Sequence, residues 1–88
     1  MSKQAMQRVS ERLNIPTEIL TQEPVVTIHG NHHVAIDHHR SVLDYTKQRI
    51  QVSTRNGIIS VVGSDLTIIL LTRTRMEIRG RISSVELE

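Results

Sequence analysis

The sequence predicts a mainly β fold: a small antiparallel roll or sandwich of about seven short, bent strands, with a short amphipathic helix at the N-terminus. Three observations predict it. From Val25 onward apolar residues alternate with polar ones, the period of a half-buried strand. The 88-residue chain has no Trp, no Phe and a single aromatic, Tyr45. Its core must come from Ile, Val and Leu, and β-branched side chains suit a pleated surface better than a helix. Glycines recur at the ends of the alternating runs, where strands bend or turn.

The elements follow in order. Ala5, Met6, Val9 and Leu13 recur at helical spacing behind Ser2, a possible N-cap, which predicts a helix over 3–13. Asn14 ends it, and Pro16 to Leu20 reads as one further turn opened by proline. Residues 1–22 therefore form a helical segment and residues 23–88 the β domain. Val26 and Ile28 lie on a first strand, Gly30-Asn31 turns, and Val34 and Ile36 lie on a second. Val42, Leu43 and Tyr45 suggest a third. Asn56-Gly57 predicts a two-residue type I′ hairpin pairing Arg55 with Ile58, Val52 with Val61 and Ile50 with Gly63. Ile50, Val52, Ile59 and Val61 then share one face. Leu66 to Leu71 is apolar on both faces, with Leu66, Ile68 and Leu70 pointing one way and Ile69 and Leu71 the other. Thr72 to Arg75 is a turn, and Met76 to Ile78 and Ile82 to Leu87 close the fold. Runs ending in Gly30, Gly63 and Gly80, each followed by another strand, form a weak internal repeat.

Composition narrows the functional classes. Net charge is only +2, too little to mark a nucleic-acid binder, and one tyrosine cannot build a stacking platform for bases. Of the eleven basic residues only Lys3 and Lys47 are lysines. Arginine forks favour carboxylates and phosphates. The absence of cysteine excludes disulfides and thiolate metal sites. The longest strictly apolar run, Ile68 to Leu71, falls far short of the ~20 residues of a membrane helix, and a soluble, intracellular protein is expected.

The pattern resembles a known family. Arg12-Leu13 with Pro16 and Glu18, then Pro24 and the strand ending at Gly30, match the YqfC branch of the YabP/YqfC family of sporulation proteins. Ile36-Asp37-His38-His39-Arg40 resembles that family's Ile-Glu-Asn-His-Arg/Lys segment. Tyr45-Thr46, Gly57, Gly63 and Leu66 also fit, and Glu77-Ile78-Arg79-Gly80-Arg81-Ile82 resembles its Glu-Ile-x-Gly-x-Ile. The sequence departs from the pattern at His38, where asparagine is expected, and at Ser41, where glycine is. The resemblance implies a sporulation factor of spore-forming Firmicutes, made in the mother-cell cytoplasm, with a membrane protein as a plausible partner and no enzymatic activity or cofactor.

Three groups of residues are candidates for function. Five histidines crowd between His29 and His39. On one extended strand His33, Asp37 and His39 would share a face, with a donor set zinc accepts; the alternative is a solvated strand edge. Arg73, Arg75, Arg79 and Arg81 are either a solvated face laced by Glu77 or a contact for anionic headgroups or an acidic partner. Ile58, Val62, Ile69 and Leu71 lie opposite the main core and need a cover, either the N-terminal helix or a second copy in a homo-oligomer, most simply a dimer. No serine or carboxylate spacing suggests catalysis, and no small-molecule substrate is expected. The sequence therefore points to a structural or adaptor protein acting by protein–protein association. A peripheral membrane or anion-binding module and a His-rich metal binder are the alternatives.

Overall fold

The computed structural model describes residues 22–88, so the helix expected at 3–13 and the turn at 16–20 lie outside the described residues. Six strands follow in order: β1 (Val25–His29), β2 (His33–Asp37), β3 (His39–Tyr45), β4 (Arg49–Thr54), β5 (Gly57–Leu71) and β6 (Arg75–Leu87). They form one antiparallel sheet in the order β1-β2-β6-β5-β4-β3. The described fold is all-β, as the alternation predicts.

The expected count of about seven short strands gives way to six, because the two glycine-punctuated pairs are continuous. Ile59 to Gly63 and Leu66 to Leu71 belong to one 15-residue strand, and Met76 to Ile78 and Ile82 to Leu87 to one of 13. Each long strand bends instead of ending. The bends lie at Gly63, which is opposite Ile82, and at Gly80, which lies against Asp65 and Leu66, where the β5–β6 register slips. A Cβ on Gly63 would lie 1.9 Å from the Arg81 carbonyl oxygen, and one on Gly80 2.7 Å from that of Asp65. Gly80 also has φ +152, a value L side chains rarely adopt.

The turns of the shorter hairpins satisfy the backbone at these bends. Gly63 and Leu66 donate their N–H groups to the carbonyls of Gln48 and Lys47, at 3.0 and 2.9 Å. Gly80 and Ile82 donate to His32 and Asn31, at 3.2 and 2.7 Å. Each bent strand is thus braced by one hairpin turn, which is how a strand can kink without leaving buried donors unpaired.

Bending brings the two halves of the sheet over one core. Val34, Ile36, Met76 and Ile78 come from the β2–β6 half, Ile50, Val52, Ile59 and Val61 from the β4–β5 half, and Leu66 from the bend. Val26 of one edge strand and Val42 of the other both pack on this cluster. A flat sheet could not bring its edges to one core, so the architecture is a single sheet rolled on itself.

The β4–β5 hairpin departs from the expected register by two residues. Thr54 pairs with Gly57, Val52 with Ile59 and Ile50 with Val61. The turn is Thr54-Arg55-Asn56-Gly57, and neither Arg55 nor Asn56 has the positive φ a type I′ turn requires. The Thr54 hydroxyl sets it: it donates to the Gly57 carbonyl at 2.9 Å and accepts the Asn56 N–H at 3.1 Å. A slip of two leaves every side chain on its face, so Ile50, Val52, Ile59 and Val61 still share the core side. The turns Thr46-Lys-Gln-Arg49 and Thr72-Arg-Thr-Arg75 share another device. In each, the threonine hydroxyl accepts the arginine N–H, at 2.9 and 3.0 Å.

Gly63→Ala should therefore cost more than an ordinary glycine replacement, about 2–4 kcal/mol, because the new methyl meets a backbone oxygen that cannot move aside. Thermal melts followed by circular dichroism check this, with Ser64→Ala as the near-silent comparison.

Candidate functional site

The outer face of the β2–β6 pair carries a linked polar chain. In register His33 lies opposite Arg79, Ala35 opposite Glu77 and Asp37 opposite Arg75. Arg75 donates through one terminal nitrogen to both Asp37 oxygens at 2.8 and 2.7 Å, and through Nε to Glu77 Oε2 at 3.2 Å. His33 Nε2 lies 2.9 Å from Glu77 Oε1. A carboxylate only accepts, so this nitrogen carries the shared proton. The hydrogen bond from His33, then that from Arg75, holds Glu77 below the usual glutamate range. Asp37 and then Glu77 push Arg75 further up. Ala35, fully buried, sits in the middle of this face among longer polar neighbours.

The metal candidates His33, Asp37 and His39 do not share a face. Asp37 ends β2, His38 takes the left-handed conformation with φ 66, and His39 opens β3 at the far edge of the sheet order. Asparagine and histidine are enriched among non-glycine residues at such φ values, the physical sense of the asparagine expected at 38. His33 and Asp37 are held by Glu77 and Arg75. Among the described residues no three His, Asp or Glu side chains converge as metal ligands.

The arginine cluster is also divided. Arg75 is bound within the polar chain, while Arg73 is exposed in the β5–β6 turn. Arg79 and Arg81 are exposed on either side of Gly80. Arg79 joins His29, His32 and His33 around one shallow dent, and Arg81 joins Asn31, His32 and Asp65 around another. The His29 and His33 rings are 5.1 Å apart.

Of the apolar candidates, Ile58 and Val62 are half-buried, opposite Ser53 and Arg49. Between them buried Ser60 accepts a hydrogen bond from the Gln51 amide at 3.1 Å. Ile69 and Leu71 are exposed, at 44% and 54%. Leu70, expected to face the core, is exposed too, because the β5–β6 register shifts between Ile68 and Leu70. Leu43 and Tyr45 on β3 are also half-exposed, and the Ile68 N–H donates to the Tyr45 hydroxyl at 3.1 Å. Sequence periodicity missed these three, since a slip in register leaves no mark in the alternation.

One buried polar group stands apart. His39 is 7% exposed and its Nδ1 has no hydrogen-bond partner among the described residues. Its cross-strand neighbour is Thr54, whose hydroxyl already donates to Gly57 and accepts from Asn56. Burial pushes His39 below the ordinary histidine value of 6.5.

Two expectations follow for stability. A depressed folded pKa gives stability that is complete above the unfolded value and lost as pH falls through the folded one. For His39 the loss begins below 6.5, and for Glu77 below the ordinary glutamate range. Urea denaturation across this range should show His39→Leu flattening the first part and Glu77→Gln the second. At neutral pH His39→Leu should be neutral or stabilising by up to about 1–2 kcal/mol, because it removes an unsatisfied buried polar group.

Comparison with known proteins places these features in a family. No curated protein matches the chain. Residues 21–88 match the YabP family, a span covering every described strand. The chain belongs to the YabP family, which is associated with sporulation.

Proposed function

We propose that the protein serves sporulation as a non-catalytic association module in the mother-cell cytoplasm, pairing with a second copy of itself through the sheet edge at the end of β5 and joining a membrane-protein partner as that dimer. One observation carries this reading. Pairing of β5 with β4 stops at Val62, and the bend to Leu66 is bonded to the β3–β4 turn. From Thr67 to Leu71 that edge of β5 meets only the Tyr45 hydroxyl among the described residues. It carries Ile69, Leu70 and Leu71, exposed on both faces, with Tyr45 beside them. An open apolar edge is a template for another strand. An antiparallel copy of the same edge would close the contact around a twofold axis, the commonest symmetry of soluble oligomers.

Membership in a sporulation family supports the setting. No helix among the described residues is long and apolar enough to cross a membrane.

Light scattering is expected to give twice the chain mass for the native protein and the chain mass for Ile69→Asp. Co-purification from sporulating cells is expected to bring down a membrane protein with the native chain and not with the variant. A variant of unchanged mass, melting temperature and co-purifying partners would refute this use of the edge.

A further inference from the structure

The folded chain joins parts of two clusters that stand far apart in the sequence. His29 ends β1, His32 sits in the turn that follows and His33 opens β2, while Arg79 and Arg81 flank Gly80 on β6. Register sets His33 opposite both His29 and Arg79. The two shallow dents at this corner share His32. One is lined by His29, His32, His33 and Arg79, the other by Asn31, His32, Asp65, Gly80 and Arg81. They therefore form one continuous surface. Its frame is fixed, because Gly80 and Ile82 donate their N–H groups to the carbonyls of His32 and Asn31. The His32 ring lies close over Gly30, where an added Cβ would stand 3.1 Å from its Cδ2.

We propose that this surface binds the phosphate headgroups of an anionic lipid membrane, with Arg79 and Arg81 as the principal contacts and His29 and His32 beside them. Three features support the assignment. Both arginines are exposed and neither makes an ion pair among the described residues, so their forks are open to phosphate oxygens. Next, the local charge favours an anion. Two carboxylates come near: Asp65 lines the surface, and Glu77 flanks it but is engaged by His33 and Arg75. The two arginines outnumber the one uncommitted carboxylate, and protonation of the exposed His29 and His32 adds to the excess. Last, no aliphatic side chain lines either dent among the described residues. The energetic centre of a protein–protein interface is ordinarily formed by buried apolar and aromatic anchors. A headgroup layer requires only basic residues presented on an open surface. The surface lies on β1, β2, β6 and the bend of β5, and its chemistry does not depend on pairing at Thr67 to Leu71.

The test is co-sedimentation of the full chain with vesicles of phosphatidylcholine, alone or mixed with phosphatidylglycerol, at low ionic strength. The native protein is expected to pellet with the anionic vesicles, to be released by added salt, and to stay in solution with phosphatidylcholine alone. Arg79→Gln and Arg81→Gln should each weaken partitioning about fivefold, and the double variant about 25-fold, as the loss of one and two surface-bound basic residues does. Their melting temperatures should be native. Arg73→Gln removes the same charge from the β5–β6 turn and should leave partitioning close to native. Partitioning should be stronger at mildly acidic than at mildly alkaline pH, and this difference should shrink when His29→Gln and His32→Gln are combined.

Unchanged partitioning in the double arginine variant, or an equal loss in Arg73→Gln, would reduce the effect to net charge and overturn the assignment. Binding to soluble polyglutamate as tight as to the vesicles would give the surface to an acidic polypeptide instead. Saturable binding of inorganic phosphate with no recruitment to vesicles would give it to a free phosphate compound. Ile69→Asp should keep the same ratio between its own partitioning and that of its Arg79→Gln/Arg81→Gln derivative, so failure here is distinguishable from failure of the β5 edge.

Discussion

The close crossing of β5 and β6 at Gly63 and Gly80 is the constraint on which the rest depends. Two strands of 15 and 13 residues cannot stay flat in so small a domain and still bury a face. Bending them there requires backbone approaching backbone more closely than any side chain permits. The N–H groups freed by the bends are then taken by the turns at Asn31-His32 and Lys47-Gln48. The two shorter hairpins are thereby fixed in position, and the single aliphatic core follows, drawn from both halves of the sheet. A domain of this size has little stability to spare, so a crossing that also satisfies the backbone matters more here than it would in a larger protein.

The same bends create the surfaces that bear on function. Because β5 continues past the point where β4 leaves it, its last residues have an open side, and that stretch is the most apolar in the chain. Arg79 and Arg81, on either side of Gly80, are exposed and stand outside the ion pairs that hold Arg75. The polar chain of Asp37, Arg75, Glu77 and His33 looks at first like a reactive cluster. Each member is instead occupied by its neighbour, and its physical effect is to tie β2 to β6. Ion pairs this exposed contribute little to stability individually, so the tie is better read as fixing register than as supplying strength. The unsatisfied group lies elsewhere, at His39.

Much of the fold was legible in the residues. The period of two identified the strands, and the faces of Ile50, Val52, Ile59 and Val61 came out correctly although the hairpin register was off by two. Strand alternation repeats every two residues, so such a slip is invisible to it. What decided the register was the Thr54 hydroxyl, a local hydrogen bond that competes with the preference of Asn56-Gly57. Leu70 was misplaced for the opposite reason: a slip of one at the bulge after Ile68 moved it from the core side to the open side. The glycines read as bends, but only the folded chain shows that Gly63 packs on the Arg81 backbone and Gly80 on that of Asp65 and Leu66 across one hairpin.

The sequence by itself determined the all-β fold of the described residues, their aliphatic core and the family, because these rest on local periodicity and on motifs spaced along the chain. Tertiary structure alone decided which side chains meet. Glu77 reaches His33 across 44 residues and Arg75 reaches Asp37 across 38, distances over which no sequence pattern specifies a partner. It also buried His39, which the alternation placed on a solvent-facing strand beside Asp37. The left-handed turn at His38 sends the two residues to different strands, and a single backbone angle of that kind is set by how the chain packs around it.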